Sequence, residues 1–473
     1  MDNRLHKKRI TVMGLGSFGG GLGAVQFLIE QNARVSVTDT RPADQLAESL
    51  AQLDLARLES LTLGRHDPRD FTDADLIVVN PAIKRDHPLL ELARRHGVPL
   101  TSEMNLFWQY NRGRILAVTG SNGKSTTTAM SHAILQAAGY RCWLGGNIGR
   151  SLLPIVEQIT ADDWVVLELS SFQLHDLNLI GQSPDVAIVT NFSPNHLDWH
   201  GTLDEYRKDK QAMLRWQMPH QIAVLNETDV DVRDWPTNGR RFGFGSTLAE
   251  ASEKYRRGIF LDGRDAIYCD SGGEVRFPLL DWITLPGRHN LQNALAAACA
   301  AMSIGVPVEA VEKGLRGYQP LPHRLEFVAE VAGRRFYNDS LATTPESAMY
   351  ALEAFDAPIV LLAGGYDKQV DLSEFARVIA GRAKGVALMG QTATMIDDGM
   401  RASGLNSLPQ RKICASFAEA FAWSISQSEV DDVIVLSPGC ASYDWFRNFA
   451  DRGQQFTRLV EDYRQSMPAA NRV

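Results

Sequence analysis

The stretch ILAVTGSNGKSTTTAM, residues 115–130, decides the fold of the central part of this 473-residue chain. Its first half is apolar, as expected of a strand buried on both faces, and its second half favours a helix. Between them lies a Gly-Lys-Ser turn of the kind that cradles a phosphate group with backbone N–H donors. The stretch therefore predicts a nucleotide-binding strand–loop–helix unit in an α/β domain.

The loop GSNGKST lacks the first glycine of the common GxxxxGKS pattern, because Val118 occupies that position. It keeps the groups that phosphate chemistry needs, since Lys124 can reach the β- and γ-phosphates and Ser125 can ligate Mg²⁺. A glycine turn followed by a surface lysine is the structural alternative. We expect a hydrolysable nucleotide to contact Gly120, Ser121, Asn122, Gly123, Lys124, Ser125 and Thr126.

A second glycine motif, GLGSFG at residues 14–19, follows a predicted strand and precedes a predicted helix. Asp39 closes the next strand about twenty residues later, as in dinucleotide-binding units. A helix N-terminus favours a pyrophosphate, and the carboxylate can accept a hydrogen bond from a ribose-like hydroxyl. Taken alone, the motif also fits a nicotinamide-dependent oxidoreductase, or glycines used only for packing. The expected contacts are Gly14, Gly16, Ser17, Gly19 and Asp39.

Three successive series of alternating strands and helices account for the length of the chain. We place the domains at residues 1–102, 103–320 and 321–473. The third series contains the apolar strands PIVLLAGG, KGVALMG and DVIVLSPG. The predicted fold class is α/β, with a Rossmann-like N-terminal domain, a central ATPase domain with a P-loop, and a Rossmann-like C-terminal domain.

Composition indicates small-molecule partners in a reducing compartment. The 48 basic and 56 acidic residues give a net charge of -8, without the basic block expected of a nucleic-acid or membrane surface. The 5 cysteines are scattered and without CxxC spacing, so neither a disulfide framework nor a zinc knuckle is indicated. The sequence contains no long apolar segment of the kind that predicts a secretion signal or a membrane span. We therefore expect a cytoplasmic protein.

Two candidate metal ligands follow the phosphate loop. Glu168 ends the apolar strand WVVLE, and His196 follows the strand DVAIVTN. Because the carboxyl ends of parallel strands meet at one edge of a sheet, both side chains are plausible Mg²⁺ ligands there. The structural alternatives are a helix-entry acid and a histidine that packs in a loop. The i, i+4 spacing of His196 and His200 would permit zinc, but Pro194, Gly201 and the absence of HExxH argue against it.

Seven ordered motifs resemble those of the Mur ligases: TGSNGKSTTT, LELSSFQL, NFSPNHLDWHG, LPGRHNLQNALAA, LPHRLEF, YNDSLATTPES and LSPGCASYDWFRNFADRGQQF. The resemblance runs from about residue 10 to the C-terminal helix. It is strongest to the branch that adds D-glutamate to UDP-N-acetylmuramoyl-L-alanine in peptidoglycan precursor synthesis. It implies that ATP and Mg²⁺ activate the alanyl carboxylate as an acyl phosphate, which the amino group of glutamate attacks. It also implies a monomer. A ligase for L-glutamate and a catalytically idle nucleotide-binding protein remain alternatives.

The resemblance also implies roles for individual residues. Lys124, Glu168 and His196 match catalytic and magnesium-binding positions, and Lys210 matches a lysine that is carbamylated to supply a carboxylate near magnesium. From its sequence context alone, Lys210 would be interpreted as a solvated lysine on a charged helix. The implied adenine- and ribose-side contacts are Asn290, Asn293, Arg324 and Asp339. The implied contacts of the UDP substrate are Asp39, Arg41, Asn147, Ser170 and Gln173. The implied glutamate contacts are Thr343, Lys368, Ser442 and Phe449.

Three positions depart from the family pattern. Leu341 replaces a lysine of the usual NDSKATN motif, so one positive charge is missing there. Asn195 stands where many Mur ligases have an aspartate, which leaves one fewer carboxylate near the metals. Ala82 replaces a glycine of the first-domain cleft and lacks its backbone freedom.

Overall fold

The computed structural model describes residues 4–16, 19–247, 250, 257–283 and 285–467. Within these ranges the strands form three sheets, and the chain divides into two compact units. The first unit comprises Met1–Trp282 and Gln292–Tyr318, and the second comprises Ile283–Leu291 and Gln319–Val473. Ser17, one of the expected nucleotide contacts, lies outside the described residues.

The first sheet contains β1 Arg9–Met13, β2 Arg34–Asp39, β3 Leu58–Leu63, β4 Leu76–Val79 and β5 Leu100–Thr101. The helices of this region are α1 Gly20–Glu30, α2 Ala47–Leu50, α3 Arg69–Thr72, α4 Pro88–Arg95 and α5 Glu103–Tyr110. The strands are parallel and follow the order β3-β2-β1-β4-β5. The loops after β1, β2 and β4 therefore meet at one edge, where open α/β sheets bind ligands.

The second sheet contains β6 Arg114–Thr119, β7 Cys142–Gly146, β8 Trp164–Glu168, β9 Val186–Val189, β10 Ile222–Asn226, β11 Arg240–Thr247, β12 Gly258–Asp262, β13 Asp265–Asp270 and β14 Gly273–Phe277. Its helices are α6 Lys124–Ala137, α7 Ser171–Ile180, α8 Leu197–His200, α9 Leu203–Arg215, α10 Arg288–Ser303 and α11 Val308–Arg316. The order is β14-β13-β12-β11-β10-β9-β6-β8-β7, so β6 lies between β9 and β8. The antiparallel hairpins of β12, β13 and β14 extend a sheet that is otherwise parallel, and the sequence analysis did not predict them.

The third sheet contains β15 Glu326–Val331, β16 Arg334–Asn338, β17 Ile359–Ala363, β18 Ala383–Leu388, β19 Gln410–Ile413 and β20 Val433–Leu436. Its helices are α12 Pro345–Glu353, α13 Ser373–Arg382, α14 Ala393–Arg401, α15 Phe417–Gln427 and α16 Phe449–Ser466. The order is β15-β16-β20-β17-β18-β19, and only the first pair is antiparallel. The predicted α/β class and its parallel sheets are confirmed.

Apolar sequence positions the central strands. β8 and β9 are buried along their whole length, and β6 is buried except at Arg114. Helices on both faces of a parallel sheet require such continuous apolar strands. Polar side chains can then appear only where the strands end, which is where the candidate site lies. Of the helices that the structure describes, none has the length and apolar character needed to cross a membrane.

Candidate active site

The phosphate loop joins β6 to α6 and requires glycine at two positions. Gly120 has a φ of 146° and Gly123 a φ of 78°. A Cβ atom on Gly120 would lie 1.9 Å from Thr190 Oγ1, and one on Gly123 would lie 2.3 Å from Asn293 Oδ1. Gly123 immediately precedes α6. The loop therefore leads directly into a helix N-terminus, whose first N–H groups favour an anion.

The segment after β9 holds this loop in place. The backbone N–H of Ser121 donates to the Asn191 carbonyl at 3.0 Å, and that of Asn122 donates to Asn191 Oδ1 at 2.8 Å. Thr190 Oγ1 donates to the Asn122 carbonyl at 2.6 Å. The N–H groups of Ser121 and Asn122 are therefore already hydrogen-bonded within the protein. The donors that an anion would meet are those of the first turn of α6, in which Ser125 is buried. Sequence reasoning did not single out Thr190 or Asn191 as anchoring residues, although Asn191 begins the motif NFSPNHLDWHG.

Two lysines lie against the loop. Lys124 Nζ donates to the Ser121 carbonyl at 2.8 Å, and Lys210 Nζ donates to the Gly120 carbonyl at 2.8 Å. Lys210 is only 2% exposed, so its interpretation as a solvated lysine is wrong. Burial lowers the pKa of Lys210 well below its usual value, and the charge of Lys124 lowers it further, whereas Glu168 acts in the opposite direction. The structure therefore brings Lys124, Glu168 and Lys210 into electrostatic contact.

Glu168 is the last residue of β8 and is buried. Its Oε1 accepts a hydrogen bond from Asn147 Nδ2 at 2.8 Å. Its Oε2 is buried and has no hydrogen-bond partner among the described residues. An unpaired buried carboxylate oxygen is costly unless a cation satisfies it. Because Mg²⁺ prefers oxygen ligands and Ser125 is buried in the first turn of α6, the donor set at this edge fits that ion.

His196 lies in the loop before α8, with an exposed side chain and a φ of 53°. Its ring centroid is 5.0 Å from that of Phe172. His200 is instead buried and bonded to Ser171 and Asp209, so the two histidines do not form a zinc pair. In the part of the chain that the structure describes, no group of three or more His, Cys, Asp or Glu residues could hold a metal ion. A magnesium site would thus need the mixed ligand set that the sequence analysis expects.

Other predicted residues lie at the same edge. Ser170 caps α7 by accepting a hydrogen bond from the Gln173 N–H at 3.3 Å, and Gln173 Oε1 accepts from the Ser170 N–H at 3.0 Å. These two side chains form a capping box, which fixes the start of the helix beside Glu168. Asn293, on α10, accepts a hydrogen bond from Thr127 Oγ1 at 3.2 Å. Contacts of these residues with substrates remain predictions.

A pocket of about 680 Å³ opens at the edge of the first sheet, and Gly14, Gly16, Asp39 and Arg41 line it. Arg41 donates to Asp39 through Nε at 3.2 Å and through Nη2 at 3.0 Å. Burial raises the pKa of Asp39, but the bonds from Arg41 and from the Gly16 N–H outweigh this and hold it below the usual value. Gly19, with a φ of 86°, precedes α1. The structure thus brings together the expected uridine-side residues.

The same pocket contains residues that sequence reasoning missed. His66, Lys84 and His87 line it, and the two imidazole rings lie 5.9 Å apart at an angle of 89°. They come from loops without a recognisable motif, so no sequence signal distinguished them. Ala82 also lines the pocket, and its φ lies outside the left-handed region. The replacement of glycine at this position is therefore unstrained.

In the second unit, the expected glutamate contacts lie on loops at the carboxyl ends of β16, β20 and β17, which are neighbouring parallel strands. Thr343 follows β16, and Ser442, which is 2% exposed, follows β20. Lys368 is exposed on the loop after β17, and Phe449 begins α16. The Phe449 carbonyl accepts a hydrogen bond from Ser340 Oγ at 2.7 Å. Strand order thus gathers the four residues at one edge of the sheet.

A buried arginine joins two of these loops, and the sequence analysis did not identify it. Arg452 on α16 is 0% exposed. Its Nε donates to Ser340 Oγ at 3.0 Å, and its Nη2 donates to the Ser340 carbonyl at 2.9 Å. Its Nη1 donates to the carbonyls of Cys440 at 3.1 Å and Ala441 at 3.3 Å. Burial lowers the pKa of Arg452 to about 10, which leaves the guanidinium charged at neutral pH.

The expected adenine- and ribose-side residues of this unit are buried or half-buried. Asp339 accepts hydrogen bonds from the Leu325 N–H at 3.0 Å and from Ser437 Oγ at 2.7 Å. Burial raises the pKa of Asp339 to about 6 despite these bonds and the nearby charge of Arg324. Arg324 Nε is buried without a hydrogen-bond partner among the described residues. Asn290 donates to the Pro286 carbonyl at 2.6 Å.

Three family profiles match the chain in order. The Mur ligase MurD-like N-terminal domain matches residues 8–102, the Mur ligase middle domain residues 118–301, and the Mur ligase glutamate ligase domain residues 323–440. Two proteins named UDP-N-acetylmuramoylalanine--D-glutamate ligase, from Symbiobacterium thermophilum and Roseiflexus sp., are each 39% identical to this chain. The alignments cover 96% of this chain and 98% of the first relative, and 97% of this chain and 100% of the second.

Solved structures of lower identity share the fold. The UDP-N-acetylmuramate-alanine ligase MurC from Thermotoga maritima is 19% identical with a TM-score of 0.60, over 97% of this chain and 100% of that protein. A pseudomurein peptide ligase type C from Methanothermus fervidus is 17% identical with a TM-score of 0.57, over 96% and 100%. With the profile matches and the close relatives, these similarities lead to one conclusion. The chain belongs to the Mur ligase family, in its MurD-like branch.

Proposed function

We propose that this chain joins D-glutamate to UDP-N-acetylmuramoyl-L-alanine at the expense of ATP, in the synthesis of a peptidoglycan precursor. The proposal is carried by the unpaired, buried Glu168 Oε2 at the edge of a preformed phosphate loop, in a chain whose relatives bear the name of that ligase. The comparisons do not favour a nicotinamide-dependent oxidoreductase, and they equally give no support to an L-glutamate ligase.

The reaction needs a carboxylate to become a good acyl donor. Transfer of the γ-phosphoryl group of ATP to the alanyl carboxylate releases ADP and forms an acyl phosphate. Attack by the neutral amino group of glutamate then expels phosphate and, with loss of a proton from the nitrogen, leaves an amide. Lys124 and the helix N-terminus of α6 stabilise the charge that develops on the phosphoryl oxygens. The loop contributes by holding its geometry before the nucleotide arrives, because Thr190 and Asn191 already fix it.

The side chains proposed to hold Mg²⁺ are Ser125, Glu168, His196 and, once carbamylated, Lys210. When bound, the ion supplies Lewis-acid polarisation of phosphate oxygens. Glu168 offers its unpaired Oε2, and Ser125 its hydroxyl. Only an uncharged amine reacts with carbon dioxide. The lowered pKa of Lys210 therefore supports its carbamylation, which would place a negative charge beside Lys124.

We assign a ligand to each proposed domain. Residues 1–102 bind the UDP group in the pocket at the edge of the first sheet. Residues 103–320 bind ATP, with Asn293 beside the phosphate loop. Residues 321–473 bind D-glutamate through Thr343, Lys368, Ser442 and Phe449. Arg324 and Asp339, together with Asn290 of residues 103–320, bind the nucleoside. A cationic group and hydroxyl donors suit the two carboxylates of glutamate.

We further propose that the protein acts as a monomer in the cytoplasm. Its 5 cysteines, Cys142, Cys269, Cys299, Cys414 and Cys440, are all free thiols, which suits a reducing compartment.

Phosphate release tests the proposal directly. The protein is incubated with ATP, Mg²⁺ and UDP-N-acetylmuramoyl-L-alanine, with D-glutamate, with L-glutamate, or without an amino acid. We expect phosphate release only with D-glutamate, and its loss when a chelator removes the metal. Turnover with L-glutamate alone would change the assigned substrate, and the absence of turnover in every mixture would favour an idle nucleotide-binding protein.

A further inference from the structure

Four buried or half-buried side chains form a hydrogen-bonded chain in the middle domain, here called the Asp209 network: Ser171, His175, His200 and Asp209. Asp209 Oδ2 lies 2.8 Å from His200 Nδ1, and its Oδ1 lies 2.9 Å from His175 Nδ1. On the far side of the ring, His200 Nε2 lies 2.9 Å from Ser171 Oγ. Nothing in the proposed chemistry uses these groups.

The network has a defined direction of donation. A carboxylate only accepts hydrogen bonds, so Asp209 fixes the proton of His200 on Nδ1. In a neutral ring His200 Nε2 is then an acceptor, and the hydroxyl of Ser171 donates to it. Every polar atom of the His200 ring is therefore satisfied, and each bond restricts the rotation of the next side chain.

Aromatic packing makes the network rigid. The side chain of His200 is 0% exposed. Its ring stacks on Phe172 at a centroid distance of 5.4 Å and an angle of 5°, and Trp199 lies 4.6 Å away. A side chain enclosed in this way has no alternative rotamer without a rearrangement of its neighbours.

The hydrogen bond between Ser171 and His200 joins two elements that carry candidate metal ligands. Ser171 is the first residue of α7 and follows Glu168, the end of β8, by three positions. His200 is the last residue of α8, whose preceding loop carries His196. The bond between Ser171 and His200 thus ties the end of β8 to the loop of His196.

Asp209 adds the third element. It lies on α9 immediately before Lys210, the lysine bonded to the phosphate loop. We propose that Ser171, His200 and Asp209 are positioning residues, which hold β8, the loop before α8 and α9 in the arrangement that binds a metal–nucleotide complex. This inference rests on the proposed function. None of the three side chains is among those proposed to contact a substrate or the metal.

The test measures binding of Mn²⁺ in the presence of ADP, from the electron paramagnetic resonance signal of free Mn²⁺. Ser171→Ala and His200→Gln each break the hydrogen bond that ties the end of β8 to the loop of His196. We expect both to raise the Kd for the metal by about tenfold, as loss of groups that orient metal ligands usually does. Ser171→Thr restores the hydroxyl and should bind within about threefold of the unaltered protein.

His175→Gln is the matched control. It removes the partner of the other oxygen of Asp209, but His175 lies one turn further along α7 than Ser171, away from the end of β8, and its side chain is 33% exposed. We expect its Kd to change by less than about twofold. In turnover, Ser171→Ala should lower kcat while KM for D-glutamate stays unchanged, because the proposed amino-acid residues lie on the other unit of the chain.

The outcomes separate two failures. If the unaltered protein binds Mn²⁺ with ADP and both Ser171→Ala and His200→Gln bind it equally well, the positioning proposal is wrong while the proposed function stands. Equal weakening by His175→Gln would also overturn it, since the effect would then be general destabilisation. If the unaltered protein binds no Mn²⁺ with ADP, the proposed function itself is wrong. Because Ser171→Ala removes a single hydroxyl, it keeps the test valid even if His200→Gln fails to fold.

Discussion

Lys210 and Arg452 are both fully buried basic side chains behind a loop at the carboxyl end of parallel strands, yet their surroundings differ. Lys210 makes one hydrogen bond among the described residues, to the Gly120 carbonyl. Arg452 makes four, to two loops of its own unit. With four acceptors, Arg452 keeps its charge at neutral pH although burial lowers its pKa to about 10, whereas burial with a single acceptor lowers the pKa of Lys210 well below its usual value.

The difference indicates what each loop is built to do. Near Lys210, Glu168 Oε2 has no hydrogen-bond partner among the described residues, so part of the stabilisation of this region is left to a ligand. Around Arg452, the loops of Ser340 and Ala441 are held by the protein itself. We therefore expect substitutions at the first place to affect chemistry and substitutions at the second to affect folding.

The largest expected effect tests the first half of this comparison. Lys210→Met should lower kcat by about 10³-fold, because the site loses the side chain that is proposed, once carbamylated, to hold Mg²⁺. Lys208→Met is the matched control, since Lys208 lies on the same helix but is 58% exposed and forms an ion pair with the exposed Glu205. Its kcat should change by less than about twofold. Steady-state phosphate release measures both, and equal effects of the two variants would contradict the assignment.

Carbon dioxide adds an internal check on Lys210. Activity should fall when the buffer is depleted of carbon dioxide and should return when bicarbonate is restored. Full activity of an enzyme shown by mass spectrometry to be unmodified would exclude carbamylation, while leaving the effect of Lys210→Met intact.

The second prediction tests whether the hydrogen bonds of Arg452 stabilise the fold. Arg452→Met should lower the free energy of unfolding by about 3 kcal/mol, because the buried acceptors of Ser340, Cys440 and Ala441 lose their donor. Arg447→Met, at a position that is 78% exposed, should change it by less than about 1 kcal/mol. Urea unfolding followed by circular dichroism measures both variants. A stable Arg452→Met protein with altered KM for D-glutamate would instead make Arg452 part of the binding site.

The contrast also explains which features the sequence could predict. The α/β class and the phosphate loop were predictable, because apolar strands and glycine spacing are local patterns. Ordered motifs identified Lys210 only through the family resemblance, and nothing local distinguished it from Lys208. Arg452 and Asp209 were missed, since their roles arise from contacts between residues distant in sequence. The hairpins after β11 were missed because they fall in a region interpreted as part of a parallel series.

The third prediction extends the comparison to a buried acid. Glu103, at the start of α5, accepts a hydrogen bond from Ser151, and burial raises its pKa to about 7. The folded protein therefore binds this proton more tightly than the unfolded chain, whose pKa is near 4.5. The free energy of unfolding should fall by about 2 to 3 kcal/mol as pH rises through the window between the two values.

Glu103→Gln should remove this slope and stabilise the protein above neutral pH, and exposed Glu309→Gln should leave the slope unchanged. Unfolding curves at a series of pH values measure it. Ser151, the partner of Glu103, lies on the loop that follows β7 and carries Asn147. If the pH dependence of the free energy of unfolding disappears in Glu103→Gln, that loop is linked to the protonation of one carboxyl group. A slope retained in Glu103→Gln would assign the pH dependence to other groups, such as Asp339.

The smallest expected effect concerns Leu341, the position where the family usually has lysine. Leu341→Lys should change KM for ATP and D-glutamate by less than about threefold and the free energy of unfolding by less than about 1 kcal/mol. The reason is that Arg452 already fixes the neighbouring Ser340 through two bonds, so the loop does not depend on a charge at position 341 for its conformation. Steady-state kinetics of Leu341→Lys and the unaltered protein in parallel measure the change in KM. A tenfold decrease in KM would show that the missing charge weakens substrate binding, and the region around Arg452 would then be, like that around Lys210, one whose electrostatics are completed by a ligand.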